Sequence, residues 1–100
     1  MNYGAIGFVM GHEITHGFDD QGRQKDADGL LNDWWKAETS EKYNQRAKCI
    51  IDQYGNYTEP QTGLNLNGVN TQGENIADNG GIKEAYIAYG KYNFSFELDN

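Results

Sequence analysis

The stretch Ala5–Phe18, AIGFVMGHEITHGF, decides how the rest of the chain is read. It has no proline, and Ile6, Val9, Met10 and Ile14 fall at mixed three- and four-residue spacings, which predicts a buried helix. Gly4, Gly7 and Gly11 would each cost about 1 kcal/mol against Ala in an exposed helix, so they predict close packing against another element, with Gly17 as the stop. Inside this helix, His12-Glu13-Ile14-Thr15-His16 is an H-E-x-x-H motif. Residues four apart on an α-helix lie about 6 Å apart along its axis, so the two imidazoles share a face and can converge on one tetrahedral zinc ion. Glu13 projects to the side, where it reaches a water on that metal rather than the metal itself. Two unrelated surface histidines flanking a glutamate are the alternative. Against it, these are the only two histidines of the chain, and they stand at ligand spacing on an apolar helix.

A catalytic zinc takes three protein ligands and leaves a position to water. Glu74 is the candidate third ligand, within Gly73-Glu74-Asn75-Ile76-Ala77-Asp78. There Glu and Asp stand four apart on a third predicted helix, from about Gln72 to Tyr92, whose Glu74, Asp78, Ile82, Ala85 and Tyr89 lie near one face. Two acids on an apolar face are costly unless paired, and a metal-ligand helix supplies the pairing. A capping acid followed by a solvated aspartate is the competing reading. Zinc-bound histidines commonly donate their second ring N–H to a carboxylate, and Asp78 and Asp19 are available for this. On spacing alone, Asp19 reads nearly as well as a loop charge. Gly80-Gly81 predicts a close neighbour or a bend in the third helix.

Between these helices, Asp19–Gly29 reads as a polar surface loop, and its Asp26, Asp28 and Gly29 lack the ligand spacing of a calcium loop. A second helix is predicted to open at Trp34-Trp35, capped by Asn32 or Asp33. It continues through Tyr43, Ala47, Ile50 or Ile51 and Tyr54 to Gly55, broken near Thr39-Ser40. Asn56–Thr71, with Pro60, reads as a loop, and no strand alternation is visible. The fold class expected is mainly α, a helical zinc-peptidase core with the H-E-x-x-H helix packed against a second ligand helix.

At 100 residues the chain is one domain at most, and only 18 of its residues are Leu, Ile, Val or Phe. That composition borders on the disordered range, so the chain is expected to be a piece of a larger protein, or to draw part of its folding free energy from metal. The net charge of −7 argues against nucleic acid and anionic membrane surfaces as partners. No apolar run approaches 18 residues and no signal-peptide pattern is present, so no membrane contact by this segment is expected. Cys49, the single cysteine, reads as a half-buried free thiol, or as the partner of a cysteine outside the chain if the parent is secreted. Asn56-Tyr57-Thr58 and Asn93-Phe94-Ser95 fit the N-glycosylation pattern.

With HEITHGFDD and GENIADNGG both in view, the sequence resembles the neprilysin-like family of zinc endopeptidases, which includes the endothelin-converting enzymes. The likeness extends through NYGAIGFVMG, DDQGRQKDADGLLNDWW and NGVNTQGENIADNGG, nearly all 100 residues. By that resemblance His12, His16 and Glu74 are the ligands of one zinc ion and Glu13 is the catalytic glutamate. Asp78 is a second active-site residue, orienting a ligand histidine or donating a proton, and Asp19 supports the other histidine. The resemblance also implies small peptide substrates, an extracellular or cell-surface ectodomain, and a disulfide from Cys49 to a distant cysteine. Residues 1–100 would then be a partial catalytic domain. The family's upstream Asn-Ala segment and downstream histidine and arginine have no counterpart here, since neither residue type occurs after Arg46. A zinc-binding fragment with little activity of its own is therefore the alternative to a working endopeptidase.

Overall fold

The computed structural model describes residues 2–98, with side chains described over residues 2–92. A π-helical turn, Tyr3–Gly7, runs directly into helix α1, Phe8–His16. A short 3₁₀ turn follows at Gly22–Gln24, then α2, Ala37–Gly55, and α3, Gln72–Leu98. The expected mainly α class holds. The only extended pairings among the described residues are isolated bridges, Lys25 with Leu31 and Thr58 with Asn65. No helix among them is long and apolar enough to cross a membrane. The sequon at Asn93 lies outside the residues whose side chains are described.

α1 and the π-turn before it pack on α3, and α2 packs on α3 as well. The α1–α3 contact is made by backbone. A Cβ on Gly11 would stand 2.9 Å from the Gly81 Cα, and one on Gly81 would stand 2.7 Å from the His12 backbone nitrogen and 2.8 Å from the Phe8 carbonyl oxygen. Thr15, whose hydroxyl donates to the Gly11 carbonyl at 2.7 Å, sits where a side chain on Gly80 would project. Gly11, Gly80 and Gly81 thus do what their cost predicted, letting two helices approach to backbone contact, whereas Gly4 faces open space and Gly7 meets only Asn2 and Tyr3 of its own turn.

The face of α1 that packs is not the predicted one. Gly11 is buried, while Ile6, Val9, Met10 and Ile14 stay between 45% and 60% exposed. Helical periodicity locates an apolar stripe but cannot say which partner covers it. On α3 the buried positions are Asn75, Ala77, Gly81 and Ala85, and Ile82 remains exposed. Only small residues fit at so close a contact, and among the described residues the buried hydrophobic ones are all alanines, Ala47, Ala77 and Ala85.

α2 begins three residues later than Trp34, at Ala37, with Lys36 at its start and no side-chain cap. The loop has claimed one of the two predicted capping residues, and neither caps the helix. Asn32 donates to the Asp26 carboxylate at 3.2 Å, and the Trp34 indole N–H donates to the Lys25 carbonyl at 2.9 Å. No break occurs at Thr39-Ser40, since the Ser40 N–H donates to the Lys36 carbonyl at 2.9 Å. Asp26 organises a turn rather than an ion site, accepting from the backbone N–H groups of Asp28 and Leu30, with Gly29 at φ 77°.

Candidate metal centre

The geometry of α1 places His12 and His16 one turn apart on the side facing the start of α3. Their Nε2 atoms stand 2.9 Å apart. From the first turn of α3, the Glu74 Oε2 lies 3.4 Å from the His12 Nε2 and 3.6 Å from the His16 Nε2. Ligand atoms from these three residues all fall within 4.8 Å of one another.

The opposite nitrogen of each ring is held by a separate carboxylate. His12 Nδ1 meets the Asp78 Oδ1 at 2.8 Å, and His16 Nδ1 meets the Asp19 Oδ2 at 2.8 Å. An ionised carboxylate only accepts, so each Nδ1 carries a proton and, in the neutral ring that a metal requires, each Nε2 presents a lone pair. Two neutral imidazoles so oriented have no hydrogen to share across 2.9 Å, and a carboxylate oxygen adds a third lone pair to the same space. A cation resolves that arrangement. Two donors at about 2.0–2.1 Å from one tetrahedral zinc stand about 3.3 Å apart, which the observed 2.9, 3.4 and 3.6 Å bracket. The donor set therefore fits a single metal ion.

Asp19 is buried, at 8% exposure, and is the most elaborately held of the six predicted site residues. Its Oδ1 accepts the backbone N–H groups of Gln21 at 2.9 Å and Gly22 at 2.6 Å. Burial alone would raise its pKa, but the Gly22 N–H, the His16 ring and the Gln21 N–H outweigh it and hold the carboxyl below the usual range. The same contact works in reverse on His16. Its hydrogen bond to Asp19 raises the imidazole pKa against the effect of burial, with the charges of Glu74, Asp19 and Glu13 adding to the rise. Gly22 is required at this turn, because a Cβ there would collide with the His16 carbonyl oxygen.

The predicted pairing of the α3 acids is present, but their predicted burial is not. The side chains of Glu74 and Asp78 are 70% and 51% exposed, so the cluster opens to solvent on the α3 side while His12, at 17%, is covered. Glu13 is exposed on α1 and close enough for its charge to act on His16. A cavity of about 790 Å³, lined by Tyr3, Phe8, Ile82, Tyr86 and Tyr89 among others, shares no lining residue with the metal cluster. Cys49, expected to be half-buried, is exposed. Sequence reading missed Arg23, whose guanidinium lies over the rings of Tyr43 and Trp35. A lone arginine in a polar loop carries no signal of an aromatic seat 20 residues away.

Comparison with known proteins supplies the family. The chain matches Peptidase family M13 over residues 1–98. Neprilysin-2 of Drosophila melanogaster is 72% identical over 92 residues, 92% of this chain and 12% of that protein. Human neprilysin is 53% identical over 93 residues, again 92% of this chain and 12% of that protein. Among solved structures, the Mycobacterium tuberculosis zinc metalloprotease Zmp1 in complex with an inhibitor superimposes with a TM-score of 0.87 at 45% identity, over 91% of this chain and 15% of that one. The chain spans about 12% of the length of the curated relatives it matches. With α1 and α3 both inside a match that covers residues 1–98, this chain belongs to peptidase family M13.

Proposed function

We propose that residues 1–100 are the metal-binding part of a zinc-dependent endopeptidase that hydrolyses internal bonds of small peptides. The observation that carries this reading is the convergence of His12 Nε2, His16 Nε2 and Glu74 Oε2 within 4.8 Å, with both rear imidazole nitrogens held by carboxylates. His12, His16 and Glu74 hold the ion. Zinc, when bound, supplies a Lewis acid that polarises the scissile carbonyl and lowers the pKa of water to about 7. Asp78 and Asp19 fix the tautomer and aim of the two rings, and the 2.8 Å contact of Asp78 with His12 favours orientation over proton donation as its role. Glu13 takes the proton of the attacking water and returns it to the leaving amine. In the enzyme that carries this segment, Glu13→Gln should abolish peptide cleavage while one zinc ion stays bound. Undiminished cleavage would remove Glu13 from the mechanism.

The segment is a partial catalytic domain in this reading, supported by its 12% share of its relatives and by the exposure of Ile6, Met10, Ile14 and Ile82. Those apolar side chains need cover from another part of the protein. The same exposure favours a second reading for the 100 residues alone, a zinc-binding fragment with little activity. A rate assay on a short peptide separates the two, because the fragment predicts no zinc-dependent cleavage above background. An extracytoplasmic location follows from the family resemblance. It is consistent with exposed Cys49, free to pair with a cysteine elsewhere, and with exposed Asn56 in its sequon. Peptide mapping of the secreted enzyme should find Cys49 oxidised to a distant cysteine and Asn56 glycosylated. A free Cys49 and a bare Asn56 would argue for a reducing compartment.

A further inference from the structure

The Asp19 carboxylate can hold His16 only if the turn that carries it is itself anchored. That turn is short and polar. The Asp19 carbonyl accepts the Arg23 N–H at 3.2 Å, and from the 3₁₀ turn Gly22–Gln24 the Arg23 side chain reaches α2. Its guanidinium carbon lies 4.6 Å from the Tyr43 ring centroid and 6.0 Å from that of Trp35, and its Nη2 donates to Asn44 Oδ1 at 3.4 Å. Trp35 and Tyr43 meet edge to face, their centroids 5.6 Å apart, so the cation has a preformed aromatic seat.

The seat is unusual in what it leaves out. Arg23 Nε, Trp35 Nε1 and Tyr43 Oη are all buried and have no hydrogen-bond partner among the described residues. The arginine is therefore held chiefly by ring faces, with one long hydrogen bond to Asn44. The cluster also lies within reach of the charges of the Asp19 turn. Burial pushes the Tyr43 hydroxyl up to about 12, with Arg23 opposing and the charges of Asp20 and Asp19 adding to the rise. Tyr43 and Asn44 belong to α2, which packs on the ligand helix α3, so Arg23 links the turn holding one zinc ligand to the scaffold bearing another.

We propose that Arg23, clamped between Tyr43, Trp35 and Asn44, is a positioning residue for the metal centre, fixing the Asp19 turn so that the Asp19 carboxylate stays on the Nδ1 of His16. It touches neither metal nor substrate and acts through Asp19. The proposal rests on the reading of His16 as a zinc ligand, but its mechanical part concerns the metal-free chain as well.

The test is a double-mutant cycle on zinc affinity, by chelator competition, with Arg23→Ala, Asp19→Ala and the pair, helicity being followed on each sample. Carboxylates that orient metal-bound histidines are typically worth about 10–100-fold in affinity. Arg23→Ala should lose about tenfold, and adding it to Asp19→Ala should cost nothing more, because the group it positions is already gone. Arg23→Lys, which keeps a cation over the ring, should recover part of the loss. Where Arg23→Ala loses helicity, Tyr43→Leu removes the aromatic seat and should give the same non-additivity. In the metal-free chain, the His16 Nδ1 proton should be visible by NMR and broaden in Arg23→Ala. Full affinity in Arg23→Ala, or losses that simply add, would overturn the proposal while leaving the zinc site standing. Absence of zinc binding by the unsubstituted chain would instead strike the metal reading, and the Nδ1 proton would still decide the role of Arg23.

Discussion

Gly11 and Gly81 stand in backbone contact where α1 packs on α3, with no room between them for a single methyl group. This contact sets the distance at which α3 presents Glu74 and Asp78 to the histidines of α1. Gly81→Ala is expected to destabilise the chain by about 1–3 kcal/mol, the usual cost of overpacking, and to weaken zinc binding. Thermal melting with and without zinc measures both. A variant that melts and binds as the parent does would mean the contact has slack that the distances deny.

Asp78 touches His12 Nδ1 from 66 residues away, and its loss frees the ring to rotate. Asp78→Ala should lower zinc affinity by about 10–100-fold. Asp78→Asn keeps an acceptor at the same place and should lose less. Competition with a chromophoric chelator reads both values, and equal losses would assign the effect to charge rather than orientation.

Two shifted groups set a pH window for the metal-free chain. His16 is raised, so its contribution is complete below about 6.5 and is lost as pH rises through its folded value. Asp19 is lowered, so its contribution is present above about 3.9 and is lost as pH falls through its folded value. Stability in a chelator should therefore peak between those limits. Zinc requires the deprotonated ring, so with metal present the upper limb should reverse and stability should climb through the His16 pKa. Melting curves across pH with and without zinc test this, and a metal-free chain that gains stability from pH 6 to 8 would contradict it.

Metal occupancy should matter more here than in a well-packed domain, since the buried hydrophobic residues among those described are alanines. Zinc at 100 times its Kd adds about 2.7 kcal/mol, which for a domain of this size raises Tm by roughly 10–20 °C. Removing it with a chelator should lower Tm by the same amount. A Tm indifferent to zinc would show that the ion does not bridge α1 and α3.

Much of the centre was legible in the chain itself, for a local reason. His12 and His16 share a face because 3.6 residues complete a helical turn, and no tertiary contact is needed to bring them into register. The same periodicity places Asp78 one turn from Glu74, and the glycines at 11, 80 and 81 announced a close approach through their cost. Hydrophobic periodicity misled where cover was assumed. Ile6, Val9, Met10 and Ile14 mark a face that this chain leaves open.

What the sequence by itself determined is the pair of histidines, the glutamate between them, and the carboxylates a turn apart on a second helix. Only the tertiary structure decided that Asp78 serves His12, whereas Asp19 lies three residues beyond His16, near enough along the chain to fold back onto it. It also decided that Arg23 reaches across to α2 and that Asn32 stays in the loop instead of capping α2. The division follows range. Spacing within a helix is dictated by backbone hydrogen bonds between near neighbours, whereas the meeting of residues 66 apart depends on how closely two glycine-lined helices pack.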